Sequence, residues 1–391
     1  MILEIIFWIS LFVIFHSYIL YPVLLIIISS NKPGNKVVFN REKNLPYVSI
    51  IMSVFNEEEV IKDKINSIFK NDYPPEKYEV IIGSDASTDR TNFMVGSLAK
   101  IHKSIRFYPF EQRQGKGNII NQLIEKSNAE ILILTDANVM FDNNTIFELI
   151  KHFKNKKIGL VDTNMINKGA KKEGISIQEK AYISREVKIK NREGKIWGTM
   201  MGPFGGCYAI RKNLYANIPK NFMVDDFYFN MKILEKGQKT INELNAKVYE
   251  DVSNDFREEF RRKVRISTGN FQNLVTFFHL LFPPFSGLSF SFFSHKVLRW
   301  LGPFFMIMGF IINFFLVKKN SFYLCAFLFQ CIMFIIPVID YLLRKFKIHI
   351  LILRFITHFC NMNLALFIGF FKFIKGVNTN VWQPTKREQY Q

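Results

Sequence analysis

From Ile2 to Ser30 the only Lys, Arg, Asp or Glu side chain is Glu4. At roughly 1.5 Å per helical residue such a run is long enough to cross a hydrocarbon core of about 30 Å. A secreted leader is the competing reading, but the run lacks a basic start and a small-residue cleavage site, and it is too long. Residues 1–30 are therefore read as an uncleaved transmembrane anchor. Lys32, Lys36, Arg41 and Lys43 follow it and no Lys or Arg precedes it, so the positive-inside tendency places the next domain in the cytosol and the amino terminus outside.

A second apolar block begins after Asn270. Residues 271–297 are Phe-rich and broken by Pro283 and Pro284, which suits a segment lying along the membrane surface; 298–317, 322–343 and 350–374 read as three further spans within a transmembrane region 298–376, followed by a tail 377–391. The third is the most polar, carrying Arg354, His358, Asn361 and Asn363, and basic residues flank both its ends. Whether it crosses or re-enters, and so where the tail lies, stays open. The 42 Phe among 391 residues accord with this lipid-facing character. The formal charge of +19 could signal nucleic acid, but the basic residues cluster beside apolar stretches, as in Arg257, Arg261, Arg262, Lys263 and Arg265, which fits an anionic lipid surface or a diphosphate better. Cys207, Cys325, Cys331 and Cys360 lack metal-ligand spacing and read as reduced structural thiols.

Between the two apolar blocks, residues 45–270 alternate β-rich runs with helical patterns, the signature of an α/β domain with a mostly parallel sheet. The clearest strands are 48–53, 79–84 and 131–135. After the first, Asn56 is the expected cap of a helix with Glu57, Glu58 and Glu59 in its first turn and Val60, Ile61, Ile65, Ile68 and Phe69 on one face. In an open sheet of this kind ligands bind beyond the carboxyl ends of strands, where loops converge and the next helix presents its amino terminus.

The acidic motifs fall at such ends. Asp85 and Asp89, among the hydroxyls of residues 84–91, can hold the base and ribose of a nucleotide; a turn with Asp89 capping a helix is the plainer reading. Lys116, between Gly115 and Gly117, can approach a phosphate. Asp136 and Asn138, two apart after a strand, can share Mg²⁺ or Mn²⁺, although such triplets are usually loop residues. Asp225 and Asp226 open a helix and either complement its dipole or supply a general base. Arg262 and Arg265, one helical turn apart, can face a diphosphate or simply anionic lipid.

Together the segments VSIIMSVFNEE (48–58), SDASTDRT (84–91), TDAN (135–138), GPFGGCYAIR (202–211), VDDF (224–227) and RRKVR (261–265) resemble family 2 glycosyltransferases, in particular the membrane-bound branch of cellulose, chitin, hyaluronan and poly-N-acetylglucosamine synthases. The resemblance covers about residues 45–271. It implies a GT-A nucleotide-sugar fold and inverting transfer from a nucleotide-diphosphate sugar, with UDP the expected nucleotide, to a saccharide growing at a bacterial cell membrane. It gives Glu57 and Asp85 to the nucleotide, Asp136 to the metal or diphosphate, Asp226 to the catalytic base and Arg262 with Arg265 to the diphosphate. Asn138 stands where many relatives have a second Asp, and Ile266 where processive synthases have Trp. The first weakens the expected metal site; the missing Trp and the small number of spans keep a second expectation alive, a single addition to a lipid-linked acceptor. A silent membrane scaffold is disfavoured by the intact Asp136, Asp226 and Arg265, and a channel by the position of the ionisable motifs outside the spans.

Overall fold

A computed structural model describes residues 1–42, 44–169, 175–251 and 255–377; Lys43 and nearly all of the tail expected at 377–391 lie outside the described residues. The chain divides into two compact units. The first holds Met1–Ile27 and the described parts of 170–182 and 253–376; the second holds the other described residues.

In the second unit eight strands form one sheet: β1 (Val48–Val54), β2 (Tyr78–Asp85), β3 (Ile105–Phe110), β4 (Ile131–Thr135), β5 (Val139–Phe141), β6 (Ile158–Lys168), β7 (Cys207–Arg211) and β8 (Lys239–Asp251), ordered β3-β2-β1-β4-β7-β6-β8-β5. β1 pairs in parallel with β2 and with β4, and β2 with β3. β7 then runs antiparallel to both β4 and β6. The first strand thus has chain crossing away from it on both sides, and the crevice beyond its carboxyl end is where a ligand fits an open sheet. The inner strands are buried on both faces and accordingly apolar, Ile50, Ile51 and Met52 in β1 and Val80, Ile81 and Ile82 in β2 being fully enclosed.

The helices named in chain order are α1 (Ile2–Phe15), α2 (Tyr21–Ser29), α3 (Ile61–Phe69), α4 (Thr91–Ile101), α5 (Lys116–Lys126), α6 (Thr145–Ile150), α7 (Ser176–Ile196), α8 (Asp225–Glu235), α9 (Phe256–Thr276), α10 (Gly287–Ser291), α11 (Leu298–Trp300), α12 (Gly302–Leu316), α13 (Ser321–Lys345) and α14 (Leu351–Ile374). α3 buries Ile61, Ile65 and Ile68 on the expected face. It does not start at Asn56. That residue adopts φ +52° and spends its side-chain amide on the next loop, so the helix begins only at Ile61.

In the first unit α1 and α2 join through a π-helical turn, His16–Leu20, into one 28-residue apolar helix. Glu4 is not left alone in it: the Tyr323 hydroxyl donates to its carboxylate at 3.3 Å, and the Lys319 ammonium pairs with it. α13 and α14 are the other two helices long and apolar enough to span. The polar face of α14 is covered, Arg354 facing Asp340 of α13 at 3.7 Å and His358 facing Glu179 at 3.6 Å. Gly369 lets α9 approach closely, since a Cβ there would lie 2.4 Å from that of Ser267.

The local structure adds detail to two expectations for this region. The supposed surface segment 271–297 is divided: its first residues finish α9, and from Gly287 the chain is helical through α10, a π-helical stretch and α11. Most of the span expected over 298–317 forms the second arm of a pair, Gly287–Trp300 and Gly302–Leu316, bent by 58°. The break falls at Leu301, directly before Gly302 and Pro303, where a proline that cannot donate a backbone hydrogen bond sits at a helix start.

Candidate active site

The loops after β1 and β2 are laced together. Asn56 accepts from the Thr88 N–H at 2.8 Å and its own N–H donates to Ser87 Oγ at 3.1 Å. The Glu57 N–H donates to Thr91 Oγ1 at 2.8 Å, and the Glu58 N–H to Asp89 Oδ2 at 3.0 Å. Asp89 also accepts the Thr91 N–H at 2.9 Å, so its carboxylate joins the two loops as well as closing the start of α4. Glu57 stands in this rim, half-buried.

Asp85, at the end of β2, is 3% exposed and works on the chain that leads into α5. It accepts the N–H groups of Gln114 at 2.7 Å and Gly115 at 3.0 Å, and Arg113 Nε lies 3.2 Å from it. The Arg113 guanidinium stacks on the Phe55 ring, 3.3 Å from its centroid. Gly115 adopts φ +85°, a conformation that glycine takes without strain, and the chain turns there into α5. Lys116, the first residue of that helix, donates to Asp136 Oδ1 at 2.6 Å. Burial would lower its pKa, but Asp136, Asp225 and Asp226 together raise it above the ordinary lysine value. Four charged residues from three separate parts of the chain are thus drawn into one electrostatic group.

The glycine-rich segment 202–206 supplies its floor. Gly205, at φ +81°, lies so close to Asp226 that a Cβ would sit 2.5 Å from Oδ2; Gly202, at φ +78°, leaves the same kind of room for Phe227. Asp225 and Asp226 open α8, as expected, and Asp226 accepts the Phe227 N–H at 2.7 Å. Burial first and then the neighbouring Asp225 push the Asp226 carboxyl up to about 7, against the opposing pull of that N–H, Lys116 and Lys190. Lys190 is itself enclosed, paired with Asp162 at 2.7 Å and lying 3.5 Å from the centroid of Phe204 in the glycine segment.

Asp136 and Asn138 occupy the turn between β4 and β5, not the strand itself, so the same-side argument from strand geometry does not apply. The Asp136 carboxylate faces Lys116, while Asn138 Nδ2 faces Glu250 Oε1 at 3.4 Å. Among the described residues no three His, Cys, Asp or Glu side chains cluster as a ready-made metal cage. The turn still offers one carboxylate and one amide oxygen, both half-buried, a donor set suited to a hard cation that takes its other ligands from water and phosphate. Arg262 and Arg265 lie in the first unit on α9, where Arg262 Nη1 is 3.4 Å from Glu259 Oε2.

The sequence reading thus named Asp85, Lys116, Asp136 and Asp226, quoted the segment holding Gly205 without giving that glycine a role, and missed Arg113, Lys190 and Lys64. Lys64 carried a signal: it interrupts the apolar face of α3 made by Ile61, Ile65 and Ile68, and it is fully buried with a pKa pushed down to about 7 by burial, against Cys207 and Asp136. Cys207 is a free buried thiol pushed up to about 12, chiefly by burial, in keeping with an unreactive structural role.

Residues 49–218 match the family described as Glycosyl transferase family 2. The chain is similar to poly-beta-1,6-N-acetyl-D-glucosamine synthase of Staphylococcus epidermidis, 27% identical over 164 residues that cover 39% of this chain and 39% of that protein. It is likewise similar to beta-monoglucosyldiacylglycerol synthase of Nostoc sp., 26% identical over 157 residues, 40% of this chain and 34% of that protein. The chain therefore spans less than half the length of these curated relatives. Among solved structures, a mannosyltransferase from Pyrobaculum calidifontis, in complex with GDP-Man and Mn2+, shares the fold with a TM-score of 0.71 at 19% identity, covering 94% of this chain and 99% of that one.

Proposed function

We propose that this chain, whose residues 49–218 are a glycosyltransferase family 2 domain, transfers a sugar with inversion from a nucleotide-diphosphate donor to a saccharide at a membrane. The observation that carries the reading is the convergence of Lys116, Asp136, Asp225 and Asp226 at the carboxyl edge of the sheet. Sugar transfer requires a base for the acceptor hydroxyl and positive charge for the departing diphosphate. Asp226 would be that base. With a pKa raised to about 7 it is substantially ionised near neutral pH and still basic enough to take a proton as the hydroxyl attacks. Lys116 holds a full positive charge beside it, available to the phosphates.

The rim formed by Glu57, Asp85 and the residues they organise would hold the nucleotide. Asp136 and Asn138 would hold a divalent cation, Mg²⁺ or Mn²⁺, which when bound neutralises part of the charge on the leaving diphosphate. The role given to Arg262 and Arg265 at the diphosphate stands on the motif alone. The catalytic unit is assigned to the cytosolic side by the basic residues that follow the first span.

A second reading, one sugar added to a lipid acceptor, is favoured by Ile266 in place of the Trp of processive synthases and by the similarity to a lipid glucosyltransferase. The purified chain in lipid should release free nucleoside diphosphate from one member of a panel of UDP- and GDP-sugars, more so with a divalent metal. Release from none, with a membrane-lipid and saccharide acceptor mixture present, would remove the reading.

A further inference from the structure

Lys64 has no place in the scheme above, yet it is buried beneath the site. Its side chain is 0% exposed, on the inner face of α3. Its ammonium donates to Thr135 Oγ1 at 2.9 Å and to the Val139 carbonyl, and it lies 3.8 Å from the centroid of the Phe141 ring. Thr135 ends β4 and Val139 begins β5, so the two oxygens bracket the turn that contains Asp136 and Asn138. Thr135 Oγ1 donates in turn to the Gly206 carbonyl at 3.1 Å, and that same carbonyl accepts the Asp136 N–H at 2.9 Å. Gly206 is the neighbour of Gly205, whose backbone lies against Asp226.

We propose that Lys64 is a positioning residue: its ammonium pins both ends of the Asp136–Asn138 turn and, through Thr135 and Gly206, fixes that turn against the glycine segment beneath Asp226. Burying a lysine costs free energy, which hydrogen bonds to oxygens offset only in part. An apolar side chain would fill the same space on α3 without that cost. What the lysine adds is a bridge between elements far apart in sequence: α3, the β4–β5 turn and the approach to β7. It touches no reacting atom, so its effect is on where Asp136 sits. Groups behind metal or phosphate ligands commonly matter on this scale, their loss costing about 10–100-fold in affinity or activity.

This inference rests on the sugar-transfer reading, and its test separates the two. Lys64→Met keeps the length of the side chain and removes its charge and donors. The full chain in lipid is compared as native, Lys64→Met, Thr135→Val and Lys62→Met, the last at an exposed position on the same helix. Three quantities are measured: binding of UDP and GDP by calorimetry with and without Mn2+, amide hydrogen exchange over Thr135–Val139, and the thermal midpoint. For Lys64→Met the expected result is roughly 10-fold weaker nucleotide binding, faster exchange confined to the turn, and a midpoint within a few degrees of native. Thr135→Val, which keeps the anchor on Val139, should shift in the same direction by less; it serves if Lys64→Met does not fold. Lys62→Met should match native throughout. Native-like binding and exchange in both Lys64→Met and Thr135→Val would overturn the positioning role while leaving sugar transfer intact. A native chain that binds neither nucleotide would bring down the transfer reading and the inference with it.

Discussion

Asp226 takes its charge state from burial and from Asp225, and Lys116 takes its own chiefly from Asp136. Their environment holds the carboxyl near 7 and the ammonium well protonated, so the pair is set for neutral pH. Asp226→Asn should lower kcat by about 10²–10⁴-fold, the usual range for a lost general base, with nucleoside diphosphate binding little changed. In the native chain kcat/KM should rise with pH through about 7 and then level, as the base becomes ionised. Stability should run the other way. A carboxyl whose folded pKa lies above its unfolded value keeps its proton longer when folded, so the native state loses stability as pH rises from about 4 to about 7. Asp226→Asn should therefore melt higher than native at pH 8 and show no such advantage at pH 4. The reverse order in a thermal scan would contradict the burial of this carboxyl.

The next scale is that of the loops and helix starts that deliver these groups. Gly205→Ala should place a methyl against Asp226 and force a φ near +81° on an L-residue, at a backbone cost of about 1–2 kcal/mol. The expected outcome is a large fall in kcat with smaller loss of nucleotide binding, read by steady-state kinetics beside calorimetry. The acidic motifs were legible because strand periodicity marks where β2 and β4 end, and ligands gather there. Asp136 was recognised but its surroundings were not: nothing local shows that the chain turns at once into β5. Asn56 was misread because an Asn before three Glu is an ordinary cap, and its true partner, Thr88, is supplied by a loop 32 residues away. Lys190 escaped notice because a buried lysine is identified chiefly by what surrounds it, whereas Lys64, at helical spacing among Ile61, Ile65 and Ile68, could have been found in the sequence. The bend at Leu301, before Gly302 and Pro303, was hidden by hydropathy, which stays high through the break.

At the scale of the molecule, three helices among the described residues are long and apolar enough to span and a further bent pair is apolar, which makes membrane residence the expected behaviour. The chain should pellet with membranes after high salt and alkaline wash and be released by detergent; release by salt alone would contradict the spans. On the proposed reading, the size of the product decides between repeated and single addition. A ladder of many lengths from one acceptor, resolved by mass spectrometry, would establish repeated addition, whereas a single increment would establish the lipid glycosyltransferase reading. The lacing of the β1 and β2 loops bears on either outcome. Because Asn56, Glu57 and Glu58 are already tied to Ser87, Thr88, Asp89 and Thr91, little of the proposed nucleotide rim would have to be ordered when a donor arrives. Donor capture should then behave as a single encounter whose rate grows linearly with concentration, with discrimination among nucleotides appearing in how long each one stays.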